Sequence, residues 1–129
     1  DLAKAARGEP VSVKVAVQAG DHAGAREAYA EALRRSPGSA AAANGLAWTM
    51  LLTGGPPEEA MRLARQATAQ EPIAPYFDTL ARACLAAGQH AQAQEAADKA
   101  CSLDPRNPDY QKTRRQMQGN GEQTPTPGP

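Results

Sequence analysis

The chain has 129 residues, of which 14 are basic and 14 acidic, so its formal net charge is zero. That length suits one domain, and the balance supplies no global field to draw the protein to nucleic acid or to an anionic membrane. Alanine is the commonest residue and aromatics are scarce, with one Phe, three Tyr and one Trp, which favours close-packed helices over a strand-rich core.

In chain order, the sequence opens at Asp1 without an initiator methionine or a signal-like segment. It therefore reads as an excised or processed piece whose compartment is hidden. Residues 1–5 are a lead-in. After Gly8 and Pro10, the run Val11-Ser-Val-Lys-Val-Ala-Val17 alternates like a strand. A helix from about Val11 to Ala19 is nevertheless expected, because Gly20-Asp21 follows as a turn and a lone edge strand would have no sheet to join. Val11, Val13, Val15 and Val17 cannot all face one core in such a helix, so some of them must meet another surface.

From Gly20 onward one pattern occurs three times. Gly20…Ala25…Ala32…Pro37, Gly55…Ala60…Ala67…Pro72 and Gly88…Ala93…Ala100…Pro105 share the spacing Gly-x4-Ala-x6-Ala-x4-Pro. Glycine can take the left-handed conformation that ends a helix, the alanines let neighbouring helices approach, and proline stops the next helix. Pro56-Pro57-Glu58-Glu59 adds a helix start, with proline in the first turn and carboxylates at the positive end of the dipole. Leu46-Ala47 and Leu80-Ala81 form a second register 34 residues apart. An extra glycine in the Gly54-Gly55 turn, offset by a shorter linker after Pro72, accounts for the uneven glycine spacing.

This pattern resembles the second half of the tetratricopeptide repeat (TPR), with its turn glycine, two small residues and closing proline, and the leucine–alanine pairs match the first half. The resemblance covers about residues 6–107. It implies an all-α, right-handed α-solenoid of three helix–turn–helix repeats, at about 6–39, 40–73 and 74–107. Residues 108–118 are expected to cap its last apolar face, with Tyr110 and Met117 pointing inward and Lys112, Arg114 and Arg115 in solvent. The TPR domain is thus expected over 6–118. The remaining residues, 119–129, are rich in proline and polar side chains and are expected to be disordered.

No catalytic, cofactor or metal site is legible. His22 and His90 share one turn position in different repeats, where the family often has a packing tyrosine, and neither has a partner. Phosphate loops, HExxH, GxSxG and paired-cysteine spacings are absent from the sequence. Glu27, Glu31, Glu58 and Glu59 read as solvated helix carboxylates. Cys84 and Cys101 are too few for a disulfide framework and read as small buried hydrophobes. The longest apolar-leaning run, residues 40–53, is shorter than the ~20 residues of a membrane span and contains Asn44 and Gly45.

The family's binding surface is the concave groove of its first helices. Carried onto this register, the resemblance implies a partner-binding row of Lys14, Trp48 and Arg82, flanked by Asn44, Asp78 and Thr79. A peptide or helix of a protein partner would rest an apolar group on Trp48 and bring acidic groups to Lys14 and Arg82. Members that clamp the C-terminal carboxylate of heat-shock chaperones carry basic and Asn residues at positions occupied here by Pro10, Lys14, Gly45, Pro75 and Thr79. Only Lys14 fits, so no such clamp is expected. The sequence implies a scaffold or adaptor without enzymatic activity. The alternative is a self-associating or regulatory arm of a larger protein, forming a homo-oligomer through the first helix. Ten arginines against four lysines, with abundant alanine, suggest a bacterial, GC-rich source.

Overall fold

Proline and glycine punctuate the chain into helices of nearly equal length. The computed structural model describes residues 20–122, and among these it contains six α-helices and no strand. They are α1 (His22–Arg35), α2 (Ala40–Thr53), α3 (Pro57–Gln70), α4 (Ala74–Ala86), α5 (His90–Leu103) and α6 (Pro108–Glu122). The expected helix over Val11–Ala19, with Lys14 and the four valines, lies outside the described residues. The self-association reading rests on that face.

Helices α1, α3 and α5 each end two residues before a proline. Their C-caps Ser36, Glu71 and Asp104 have φ of −138°, −137° and −142°, because the following Pro37, Pro72 or Pro105 drives the preceding residue out of the α region. Starts are marked by side-chain caps: Asp21 Oδ1 accepts from Gly24 N at 2.8 Å, and Ser39 Oγ accepts from Ala42 N at 3.1 Å. At α6, Asn107 Oδ1 accepts from Asp109 N at 2.9 Å. Helix α3 instead begins with proline in its first turn and Glu58 and Glu59 beside the positive end of its dipole.

The turn glycines require one correction. Positive φ falls at Gly20 (75°), Gly54 (74°) and Gly88 (78°), so the residue ending α2 is Gly54 and not Gly55. The conformational glycines therefore keep a constant interval. Gly55, whose N–H donates to the Met50 carbonyl at 2.8 Å, is the inserted residue, and the linker after α3 is correspondingly shorter.

Each helix packs on the next, and α2, α4 and α6 also pack on one another in sequence. The result is an all-α solenoid whose inner layer is α2–α4–α6 and whose outer layer is α1–α3–α5. Alanine permits the close approach: Ala25, Ala60 and Ala93, and likewise Ala47 and Ala81, are fully buried between helices. Leu63, Met50, Leu80, Cys84 and Met117 fill the remaining volume. Helix α2 is apolar on nearly every side because it packs against α1, α3 and α4. Its Gly45 accepts the Tyr29 ring of α1, where a Cβ would stand 2.2 Å from Tyr29 Cε1.

Three expectations change. Helix α6 does not stop at Gln118 but runs through Gly119 to Glu122. Gly119 keeps negative φ, a helical glycine costs only about 1 kcal/mol, and the next proline comes at Pro125. Of the two residues expected to point inward on α6, Met117 is buried but Tyr110 is half-buried, and Thr113 takes the fully buried position. His22 and His90, expected to pack, are exposed at the first positions of α1 and α5.

Candidate functional site

The inner layer is concave, and its floor is built at corresponding positions of successive helices. Asn44 on α2, Asp78 on α4 and Lys112 on α6 recur at the 34-residue interval, as do Trp48, Arg82 and Gln116 one helical turn further on. One turn of α-helix separates each pair, so both rows face the same side. Together with Thr79, Pro75, Asp109 and Tyr110, they enclose an open cavity of about 480 Å³. Five of the six residues expected in the groove, Asn44, Trp48, Asp78, Thr79 and Arg82, line this one cavity. The sixth, Lys14, lies outside the described residues.

Helix α6 contributes to the groove beyond the capping role expected of residues 108–118, for Pro108 stands where the first helix of a fourth repeat would begin. Extending the same frame one step would have placed Asp109, Lys112 and Gln116 in the groove.

Trp48 is 39% exposed, although it lies on the most apolar helix. The Arg82 guanidinium carbon lies 5.8 Å from the centroid of its ring, a cation–π arrangement. Arg82 is also tied from two other sides. Its Nε donates to Asp78 Oδ2 at 3.2 Å, and its Nη2 donates to Thr113 Oγ1 on α6 at 2.9 Å. The side chain thus braces α4 against α6 and covers part of the indole. The free cation that the sequence suggested is largely engaged within the protein.

The acceptors on the floor are less well served. Asn44 Oδ1 and Asp78 Oδ1 are buried and have no hydrogen-bond partner among the described residues. The Thr79 hydroxyl is occupied, donating to the Pro75 carbonyl at 3.2 Å. Negative charge gathers at the α6 edge: burial, then the carboxylates of Asp78, Asp104 and Asp109, push the Tyr110 phenol above its ordinary range.

Elsewhere the ionisable groups have structural surroundings. Glu31 pairs with Arg34 and Arg35, and Glu59 with Arg62, on exposed helix faces. Cys84 and Cys101 are free and buried. Burial pushes the Cys84 thiol up despite the opposing influence of Arg65, whose Nη2 lies 4.0 Å from its sulfur. Among the described residues, no group of three or more His, Cys, Asp or Glu side chains could hold a metal ion. No helix among them is long and apolar enough to cross a membrane.

Two models described as tetratricopeptide repeat match residues 16–72 and 74–107, in register with the helix pairs. The chain belongs to the tetratricopeptide-repeat family. No curated protein matches it. Among solved structures, the TPR chain is similar to the TPR domain of Sgt2 from Aspergillus fumigatus. The TM-score is 0.77 at 18% identity, covering 91% of this chain and 82% of that one. It is similar to the TPR2B domain of yeast Sti1 in complex with an Hsp70 peptide, with TM-score 0.73 and 20% identity over 85% of this chain and 93% of that one. A mutant O-GlcNAc transferase of Thermobaculum terrenum gives TM-score 0.76 at 22% identity, covering 82% of this chain. The TPR chain spans only 20% of that enzyme's length. At these identities the likeness is one of fold.

Proposed function

We propose that the protein is a non-catalytic interaction module that binds a peptide or helix of a partner protein along α2, α4 and α6. The observation that carries this reading is the cavity of about 480 Å³ on the concave face, with a 39% exposed tryptophan in its lining. A large aromatic side chain beside an arginine in a concave site has the make-up of an interface anchor. The yeast Sti1 domain and a TPR of Spaghetti, the latter bound to the HSP90 peptide SRMEEVD, support it as peptide-binding relatives in fold.

The partner is not an acidic chaperone tail of that kind. Of the positions where the clamp would need convergent donors, Gly45 is filled by the Tyr29 ring and Thr79 is buried with its hydroxyl engaged. A terminal carboxylate would be stripped of water there without enough donors to replace it.

The test is a random dodecapeptide display library panned on the immobilised protein. Because Trp48 is the sole tryptophan, its emission reports binding directly. Groove binders shift that emission and lose at least tenfold in affinity on Trp48→Ala, as an interface anchor does. Binders indifferent to Trp48→Ala would move the site to another face, and the absence of binders would remove the peptide-binding reading.

A further inference from the structure

We propose that the groove selects partner peptides that carry an arginine or lysine side chain, whose cationic head is received between Asn44 and Asp78 while its methylene stem lies along Trp48. This rests on the peptide-binding reading above and reverses the charge first expected of the ligand.

Three observations converge on it. The first is the supply of acceptors: Asn44 on α2 and Asp78 on α4 line the same cavity, and the Oδ1 of each, buried behind it, lacks a donor among the described residues. A buried acceptor without a partner is costly, so a ligand that brings donors gains more there than at a satisfied site. Both oxygens are buried as they stand. The broad, soft χ2 torsions of Asn and Asp are the movements by which a ligand would reach them.

The second observation is the disposition of charge. Arg82 is committed to Asp78, Thr113 and the Trp48 face, so it offers little to an incoming anion. Among the described residues, the remaining charged side chains lining the cavity are Asp109 and Lys112 at its α6 edge. A ligand carboxylate reaching the floor would meet the unpaired oxygen of Asp78, whereas a guanidinium or ammonium meets two acceptors, one of them charged.

The third observation is shape. Trp48 is 39% exposed and lines the same cavity one helical turn from Asn44, and its open surface suits the apolar stem of a long basic side chain, which buries its methylenes and delivers its charge beyond them. An acidic side chain is too short to use both.

The experiment sequences the peptides retained by the wild type but lost on Trp48→Ala. Enrichment of arginine or lysine in that groove-dependent set, with affinity falling about tenfold on Asn44→Ala and on Asp78→Asn, is the expected result. Thermal melts establish that the variants fold, and replacement of the peptide's basic residue by norleucine should cost a similar factor. A groove-dependent set that is acidic or without basic enrichment overturns the inference and leaves the peptide-binding reading intact. Basic peptides that bind Asn44→Ala and Asp78→Asn at full strength overturn it as well. An empty groove-dependent set removes both.

Discussion

Gly45→Ala tests the packing that positions the groove. Gly45 is a mid-helix glycine on α2 with negative φ. Helix propensity alone therefore predicts that alanine stabilises the protein by about 1 kcal/mol. The structure predicts the opposite sign. A Cβ at Gly45 would lie 2.2, 2.3 and 2.4 Å from Tyr29 Cε1, Cζ and Cδ1, where carbon atoms pack at about 3.5–4.0 Å. The ring would have to retreat by more than 1 Å against the α1–α2 interface. Overpacking of this kind costs typically 1–3 kcal/mol, occasionally more. Three contacts this short place the cost at the upper end of that range, so with the propensity gain subtracted the net loss is about 2 kcal/mol, or a melting temperature lower by roughly 7 °C for a domain of this size. Urea and thermal melts of Gly45→Ala and Tyr29→Ala, singly and together, form a double-mutant cycle. In the Tyr29→Ala background the clash is gone, and Gly45→Ala should become neutral or stabilising. If Gly45→Ala stabilises the wild type, the Tyr29 ring does not occupy that notch and the close approach of α1 to α2 is wrong.

The brace between α4 and α6 makes a second prediction: Thr113→Val preserves shape but removes the acceptor for Arg82 Nη2. Since Arg82 is partly exposed, the loss should be about 1 kcal/mol, read in a thermal melt and accompanied by changed Trp48 emission. Unchanged stability and emission would mean that the bond does not form in solution. A third concerns pH. Hydrogen bonds from Arg34 and Arg35 hold the Glu31 carboxyl below its ordinary value of 4.5, and one from Arg62 does the same for Glu59. Groups with depressed folded-state values stabilise the fold above the unfolded value and lose that contribution as pH falls through the folded one. These pairs should therefore leave stability flat from pH 8 to 5 and add to its decline below about 4.5, with Glu59→Gln shallowing the decline by an amount that added salt also reduces. A decline already present above pH 5 that Glu59→Gln removes would contradict this assignment.

The architecture was legible in the sequence because its punctuation is made by residues with few alternatives. Proline after α1, α3 and α5 imposes a helix end through local sterics alone. The paired Gly54-Gly55 is where that local logic became ambiguous. Either glycine could adopt positive φ, and the repeated spacing to Ala60 favoured Gly55. The structure selects Gly54, because the turn must follow directly on Thr53 to hold the interval from Gly20 to Gly88. The inserted residue is then absorbed by Gly55, ahead of α3. His22 and His90 differ for a related reason: the family resemblance implies a packing side chain at their shared position, whereas at the first residue of these helices the side chain reaches solvent.

For the candidate site, helical spacing identified which side chains share the concave face, but it could not show how those side chains engage one another. The Arg82 brace spans 31 residues of sequence to Thr113, and its placement over Trp48 depends on the offset between adjacent first helices. That engagement changes the electrostatic meaning of the row. A lysine, a tryptophan and an arginine, read as a string, describe a groove for acidic ligands. Once Asp78 and Thr113 are seen to hold the arginine, the unsatisfied groups on the floor are the oxygens of Asn44 and Asp78. The specificity proposed for this solenoid thus turns on which polar atoms the packing leaves without a partner, a property that residue types alone do not determine.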